Sequence, residues 1–417
     1  MKIAIIGTGI SGLTSAYLLH EKHEVHLFEA NYYIGGHTST ITVNDSNKLI
    51  NVDTGFIVFN EQNYPNLCRL FDKLGVASRL SDMSFSVHNE KTGLEYNGSG
   101  LNGLFCQRRN LLNVDHWLML KDIMRFHQQA PLLLSNGLDD KTTVTEFARQ
   151  HSYSSSFVEN YLVPLGASLW SAPARTFREF PIRFVLEFLD NHCMLQIRNR
   201  PQWKTVTGGS RTYIKPLISG FSDRIRLKQP VSSVHRISKG VELRFINGMA
   251  ETFDEVIIAT HADQALILLA QPSAEETELL QQFPYQDNDT VLHTDTSVLP
   301  DRPEAWASWN YRIPATDKTH VSVTYNMNLL QGLETDKTYC VSLNQTGNID
   351  SARIIRKFNY HHPLFQSGRQ LAQSRHAQLI RHKGLSFCGA YWGYGFHEDG
   401  VRSALAVCAA FGQELNR

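Results

Sequence analysis

The sequence predicts an α/β fold: a Rossmann-type domain assembled from discontinuous segments, carrying a second, substrate domain of mixed sheet and helical cap. Three observations predict it. A strand, a glycine turn, a helix and a second strand occupy the extreme N-terminus; strand signals return after Gly208-Gly209; and a long aromatic-rich block of helical periodicity lies between them.

The first unit opens on KIAII at residues 2–6, a short apolar run that reads as a buried strand. Gly7 to Gly12 reads as a turn, Leu13 to Lys22 as a helix, and EVHLFEA as the second strand, which completes a βαβ unit. From about Asn102 to Cys193 the stretches DHWLMLKDIMRFHQQ, TVTEFARQ and PIRFVLEFLDNHCML carry helical spacing and predict an inserted cap. Beyond it, IRLKQPVSSVHRI, VELRFI, DEVIIAT, VLHTD and HVSVTYNM read as strands. The last segment, LSFCGAYWGYGFHEDGVRSALAVCAAFGQEL, reads as a strand, a glycine-rich turn and a closing helix. We therefore expect residues 1–60, 205–265 and 380–417 to form one domain, and residues 61–204 with 266–379 to form the other. Repeats and low-complexity linkers are absent.

Composition narrows the function classes. At 417 residues the chain is long enough to bury a large cofactor in two packed domains or one divided domain. Forty basic residues balance forty acidic ones, so no polyanion is indicated and nucleic acid is not an expected partner. The 18 histidines are scattered apart from His361-His362, and no metal site is expected. Cys68, Cys106, Cys193, Cys340, Cys388 and Cys408 are far apart and form no CxxC pair, which fits a reducing compartment. Met1 leads directly into the first strand, and no run of about 18 apolar residues follows. A soluble, cytoplasmic protein is expected, with no integral membrane segment.

Gly7, Gly9 and Gly12 form GxGxxG after a strand and at the start of a helix, the context that pyrophosphate binding requires. The first glycine permits the tight turn, the second lets phosphates approach the backbone, and the third lets helix and strand pack closely. The helix N-terminus then faces the negative charge. Glu29, followed by Ala30, ends the second strand where a carboxylate accepts hydrogen bonds from ribose hydroxyls. Gly35-Gly36-His37 follows within a few residues.

The run EANYYIGGHTSTITV with NVDTGF resembles the N-terminal signature of the FAD-dependent amine oxidase and phytoene desaturase superfamily. His37 stands where arginine is usual there, so the role of that side chain stays open. WKTVTGGSRTYIKPL, DEVIIATHADQAL and GAYWGYGFHEDGVRSAL resemble later blocks of the same superfamily, and together the blocks span most of the chain. A narrower resemblance, carried by LVPLGASLWSAP, HTDTSVLP with AWASWNY, and GYGFHEDG, is to bacterial predicted NAD/FAD-binding proteins associated with cyclopropane fatty acyl phospholipid synthases.

The resemblance implies an amine-oxidase-like fold and FAD held by Gly7, Gly9, Ile10, Ser11, Gly12, Glu29, Ala30, Gly35, Gly36, His37, Thr54, Gly55 and Phe56; with no familiar attachment motif in the sequence, non-covalent binding is expected. It puts Val234 by the adenine, Gly389 by the ribityl chain, and Asp399, Gly400 and Val401 by the isoalloxazine. A physical argument points the same way: glycines at 389, 393, 395 and 400 let backbone crowd a ligand, and a helix from Val401 directs N–H groups at it. With no second GxGxxG, a dedicated NAD(P)H domain is not expected, and the substrate itself is the expected reductant.

His397 and Glu398, beside Asp399, are candidate catalytic groups for a proton relay, with flavin fixing or helix capping by Asp399 as the alternative. Trp170, Trp309, Trp392 and Tyr394 are the candidate substrate wall, joined by Trp306 and Tyr391; core packing is the alternative for each. Arg175, Arg178 and Arg183 are either an anion site or a solvated helix face. Trp117 to Phe126 is either a membrane-contacting stretch or cap packing. The expected reaction is two-electron oxidation, desaturating or amine-oxidase-like, of a lipophilic substrate, with a fatty acyl lipid implied by the resemblance. A flavin-dependent double-bond isomerase and a non-catalytic FAD-binding partner of a lipid-modifying enzyme are the alternatives.

Overall fold

The computed structural model describes residues 1–139, 141–170, 172–196, 200–316, 321–364 and 368–415. Ser171 of LVPLGASLWSAP, His320 of HVSVTYNM and the last two residues of the expected first domain lie outside them.

Five strands form a parallel sheet in the order Ile225–Arg226, Glu24–Phe28, Lys2–Ile6, Glu255–Ile258, Leu385–Phe387. The register pairs Ile3 to Ile6 with Glu255 to Ile258. Alternation along a strand explains the layering. Ile3 and Ile5 face a core shared with Leu13, Ala16 and Val401, whereas Ala4 and Ile6 face a second core with Phe28, Val241, Leu243 and Phe253. Both faces are thus covered, which is why Ile3 to Ile6 are apolar throughout rather than alternating.

Helix Ile10–Leu19 starts inside the glycine motif, three residues earlier than the sequence pattern indicates. Gly9 is its extended N-cap, so Ile10, Ser11 and Gly12 are already its first turn. The closing helix is His397–Ala409 rather than a helix from Val401. Asp399 is therefore not its N-cap: it sits within the first turn, and its carboxylate accepts the Tyr394 and Phe396 amides at 3.0 and 3.1 Å.

A mixed sheet of seven strands, in the order 354–363, 285–293, 340–343, 323–326, 309–313, 85–89, 94–97, forms the second layer. Over it lies the helical block Val114–Ser135, Val144–Gln150, Ser155–Trp170, Ala174–Arg178 and Ile182–Asn191. Its own core contains Phe126, Phe147, Phe157, Trp170, Phe177 and Phe188, each contributing roughly 1.5–3 kcal/mol by burial. Among the described residues, no helix is long and apolar enough to cross a membrane.

Candidate functional site

A cavity of 1770 Å³ runs from the N-terminal glycine turn to the helical cap. At the turn, Gly7 adopts φ +103°, and a Cβ there would meet the Ala259 carbonyl oxygen at 2.9 Å. A Cβ on Gly12 would meet the Gly7 carbonyl oxygen at 2.1 Å, so helix and strand touch as the motif requires. Gly9 has open space where its Cβ would point. On its other side it is covered by Gly36, whose own Cβ, at φ +58°, would lie 3.1 Å from the Gly9 Cα. Two glycine signatures therefore form one cradle at a helix N-terminus, with donors facing the cavity, and it fits a dinucleotide pyrophosphate.

Glu29 and Ala30 line the same end. The Glu29 carboxylate accepts the Thr8 amide at 3.1 Å and hydroxyl at 2.6 Å with one oxygen, and the Asn31 amide at 2.9 Å with the other. It thereby braces the glycine turn from the next strand. Gly35 at φ +124° carries the chain into Gly36. Thr54, Gly55 and Phe56 reach the cavity wall because Gly55 packs on the His37 carbonyl, leaving no room for a Cβ. Asp53, just before them, is fully buried and accepts the Ser210 amide at 2.9 Å, the Thr40 hydroxyl at 2.5 Å and the Gln331 amide at 2.9 Å. Burial pushes its carboxyl up to about 6. NVDTGF and the paired glycines of WKTVTGGS are thus tied to one carboxylate that the motif reading overlooked.

The cofactor-binding candidates divide by position. Gly7, Gly9, Ile10, Ser11, Glu29, Ala30, Gly36, His37, Thr54, Gly55, Phe56 and Gly389 line the cavity. Gly12, Gly35, Val234, Asp399, Gly400 and Val401 are not on its wall. Gly400 packs the last helix against the first, since a Cβ there would lie 2.7 Å from Ile10 Cγ2 and 2.9 Å from Ser11 Oγ. Val401 is wholly buried in the core between them, and Val234 is 3% exposed in the other core. Gly389 donates its amide to Ser403 Oγ at 2.9 Å.

Of the two catalytic candidates, His397 lines the cavity. Its ring stacks on Phe56 at 3.8 Å, and its Nε2 lies 3.1 Å from Thr38 Oγ1. Glu398 points elsewhere: its carboxylate accepts the backbone amides of Asn66 at 3.1 Å and Leu67 at 2.9 Å, at the start of helix Pro65–Leu74. Burial raises the carboxyl pKa of Glu398, and burial takes that of Asp399 up to about 6.

A group of histidines gathers on the wall. His37 lies 6.0 Å from His261, 5.8 Å from His362 and 5.0 Å from Tyr360, centroid to centroid. Burial pushes His37 and His261 down to about 4 and His362 and His397 down to about 3, so all four are neutral at pH 7. These four side chains are thus polar but uncharged. His361-His362 was the available signal, being the single adjacent histidine pair in the chain, yet His261 is brought beside it only by folding.

Trp170, Trp309 and Tyr394 line the cavity toward the cap, with Leu120, Ile123, Leu165 and Phe188. Trp392 is not on the wall; it stacks on His376 at 4.2 Å and packs against Phe283. Tyr391 lines the cavity and Trp306 does not. Arg178 pairs with Glu159 at 2.7 Å and Arg183 with Glu187 at 2.8 Å, while Arg175 is exposed, so the cap arginines belong to the helix surface.

Against known proteins, the sequence model of the family described as flavin containing amine oxidoreductase matches residues 10–329. Zeta-carotene desaturase of Zea mays is 37% identical over 81 residues, 19% of this chain and 14% of that protein. The desaturase of Synechocystis sp. is 36% identical over 81 residues, again 19% of this chain and 16% of that protein. The chain thus matches well under a fifth of the length of these curated relatives. Among solved structures, the CLA-producing fatty acid isomerase from P. acnes has a TM-score of 0.69 at 13% identity, with 98% of each chain covered. Wild-type putrescine oxidase bound to putrescine gives 0.67 at 14% identity, covering 99% of each chain. Cyclohexylamine oxidase from Brevibacterium oxydans gives 0.66 at 16% identity, covering 98% of each. At these identities the likeness is one of fold.

Proposed function

The chain belongs to the family described as flavin containing amine oxidoreductase; from that premise we propose that it is a flavin-dependent oxidoreductase that binds FAD non-covalently and performs two-electron oxidation of a lipophilic substrate of the fatty acyl class. The observation that carries this reading is one continuous cavity, which joins the glycine cradle to an apolar chamber lined by Leu120, Ile123, Leu165, Leu169 and Phe188. When bound, a flavin supplies a hydride acceptor for a substrate C–H bond and passes the electron pair on to a second acceptor.

The protein's own contribution follows from its wall. Gly9, Gly36 and the N-terminus of helix Ile10–Leu19 hold the diphosphate, and Glu29, braced by Thr8 and Asn31, faces the ribose. His397 stays neutral, because burial disfavours its cation, and its Nε2 is engaged by Thr38. It therefore orients by hydrogen bonding and carries no charge at pH 7. The cap helices exclude water from the reacting end, which hydride transfer requires more than it requires a strong base.

In the same reading residues 1–60, 205–265 and 380–417 make the FAD domain and the remainder the substrate domain. Six free thiols support a reducing, cytoplasmic setting, and a lipid-modifying enzyme of the cyclopropane synthase class would supply or consume the substrate. The test is anaerobic titration of the purified flavoprotein. Unsaturated or cyclopropanated phospholipids should bleach the flavin absorbance, and simple amines should not. Bleaching by amines alone would replace the substrate class. Double-bond migration with no net use of an acceptor would instead favour isomerisation, the activity of the P. acnes neighbour.

A further inference from the structure

Six of the twenty exposed large hydrophobic residues among those described fall between residues 101 and 118: Leu101, Leu111, Leu112, Val114, Trp117 and Leu118. Leu112 is 92% exposed and Leu101 75%, values that isolated surface leucines reach but that a contiguous group rarely does. The group is contiguous. The Trp117 indole donates to the Leu111 carbonyl at 3.0 Å, and its ring packs on Phe105 at 5.1 Å. Phe105 in turn donates its amide to the Leu101 carbonyl at 3.0 Å. These contacts join a turn and the first two turns of helix Val114–Ser135 into one apolar ridge.

The helix itself has three faces. His116, Met119 and Phe126 face inward and are buried; Val114, Trp117 and Leu118 face out; and Leu120, Ile123 and Met124 line the cavity. Met124 both lines the cavity and is 46% exposed, so the cavity reaches the surface beside the ridge. Around the ridge the exposed charges are Arg108, Arg109 and Lys121 against Asp115, and, on the segment that packs against Leu101–Leu104, Arg302 against Asp301 and Glu304; the three cations near Leu111, Leu112 and Trp117 thus outnumber the one acid there. Among the described residues, both guanidinium groups are bonded to neutral oxygens, of Phe105 and Asn102 for Arg108 and of Gly93 for Arg109.

We infer that this ridge seats the protein on the surface of an anionic phospholipid bilayer, with Leu111, Leu112, Val114 and Trp117 in the acyl boundary and the three cations at the headgroups. An apolar ridge flanked on its Leu111–Trp117 side by Arg108, Arg109 and Lys121 matches that surface in both respects. No spanning helix is involved, so the contact is peripheral. The mouth at Met124 then opens at the membrane, where an acyl chain enters without crossing water. Binding itself does not depend on the proposed chemistry.

The test is flotation of the flavin-loaded protein with vesicles of phosphatidylcholine alone and of phosphatidylcholine mixed with phosphatidylglycerol. The wild type should float with the mixed vesicles and be released by salt. Leu112→Asn with Leu111→Ser should lower that partition by at least about tenfold, and Arg108→Gln with Arg109→Gln should remove the preference for phosphatidylglycerol. Leu112→Asn alone, at the most exposed position, keeps the fold, as melting temperature and flavin content will report. A wild type that stays soluble with both vesicles, or ridge variants that float equally, would overturn the proposal. So would a dimer, seen by light scattering, that Leu112→Asn dissolves while vesicles go unbound; the ridge would then be a subunit face. Turnover of detergent-solubilised substrate is read separately, so loss of membrane binding and loss of the oxidase reading are told apart.

Discussion

Gly36 rests on Gly9: a Cβ on the one would stand 3.1 Å from the Cα of the other, although 26 residues separate them along the chain. This contact closes the phosphate cradle and gives the clearest substitution. Gly36→Ala must hold an alanine at φ +58° and push on the glycine turn. It should cost about 1 kcal/mol or more in stability and lower bound flavin per protein by roughly tenfold. The ratio of visible to ultraviolet absorbance after purification measures the second effect.

Glu398 and His397 are neighbours with different surroundings, and they should respond differently. Glu398→Gln removes a carboxylate from the amides of Asn66 and Leu67, so it should lower stability by about 1–2 kcal/mol and leave the rate of flavin reduction within about twofold. A stable variant with reduction slowed a hundredfold would give Glu398 a chemical role.

The tryptophans offer a second contrast. Trp392→Ala removes a ring packed on His376 and Phe283 and should destabilise by about 3–5 kcal/mol, read in denaturant melts. Trp309→Phe changes the cavity wall instead. It should keep stability within about 1.5 kcal/mol and shift the substrate concentration needed for half-maximal flavin reduction.

Asp53 predicts a pH signature. Its folded pKa is raised to about 6 by burial, so its contribution to stability is fully present below the unfolded value near 3.8 and is lost as the pH rises through 6. The stability of the wild type relative to Asp53→Asn should therefore fall by about 3 kcal/mol between about pH 4 and pH 7. Denaturant melts across that range check the slope; a constant difference would show that the carboxyl titrates normally.

The α/β class and the glycine cradle are legible in the residues alone, because the features that specify them are local. An apolar strand, a glycine turn and a helix within 19 residues encode one βαβ entry, and period-2 and period-3.6 patterns mark the later elements. Helix starts were less legible, since glycine at the motif's end and HEDG before Val401 read as turns but already have helical backbone in the fold. Which neighbours become site and which become scaffold is set by long-range packing. His397 and Glu398 are adjacent in the chain, yet successive residues of a helix diverge by about 100°. One faces the cavity and the other caps a helix more than 300 residues earlier. The wall of His37, His261 and His362 draws on three remote segments, and no local pattern carries that information, because their approach is set by the packing of two sheets.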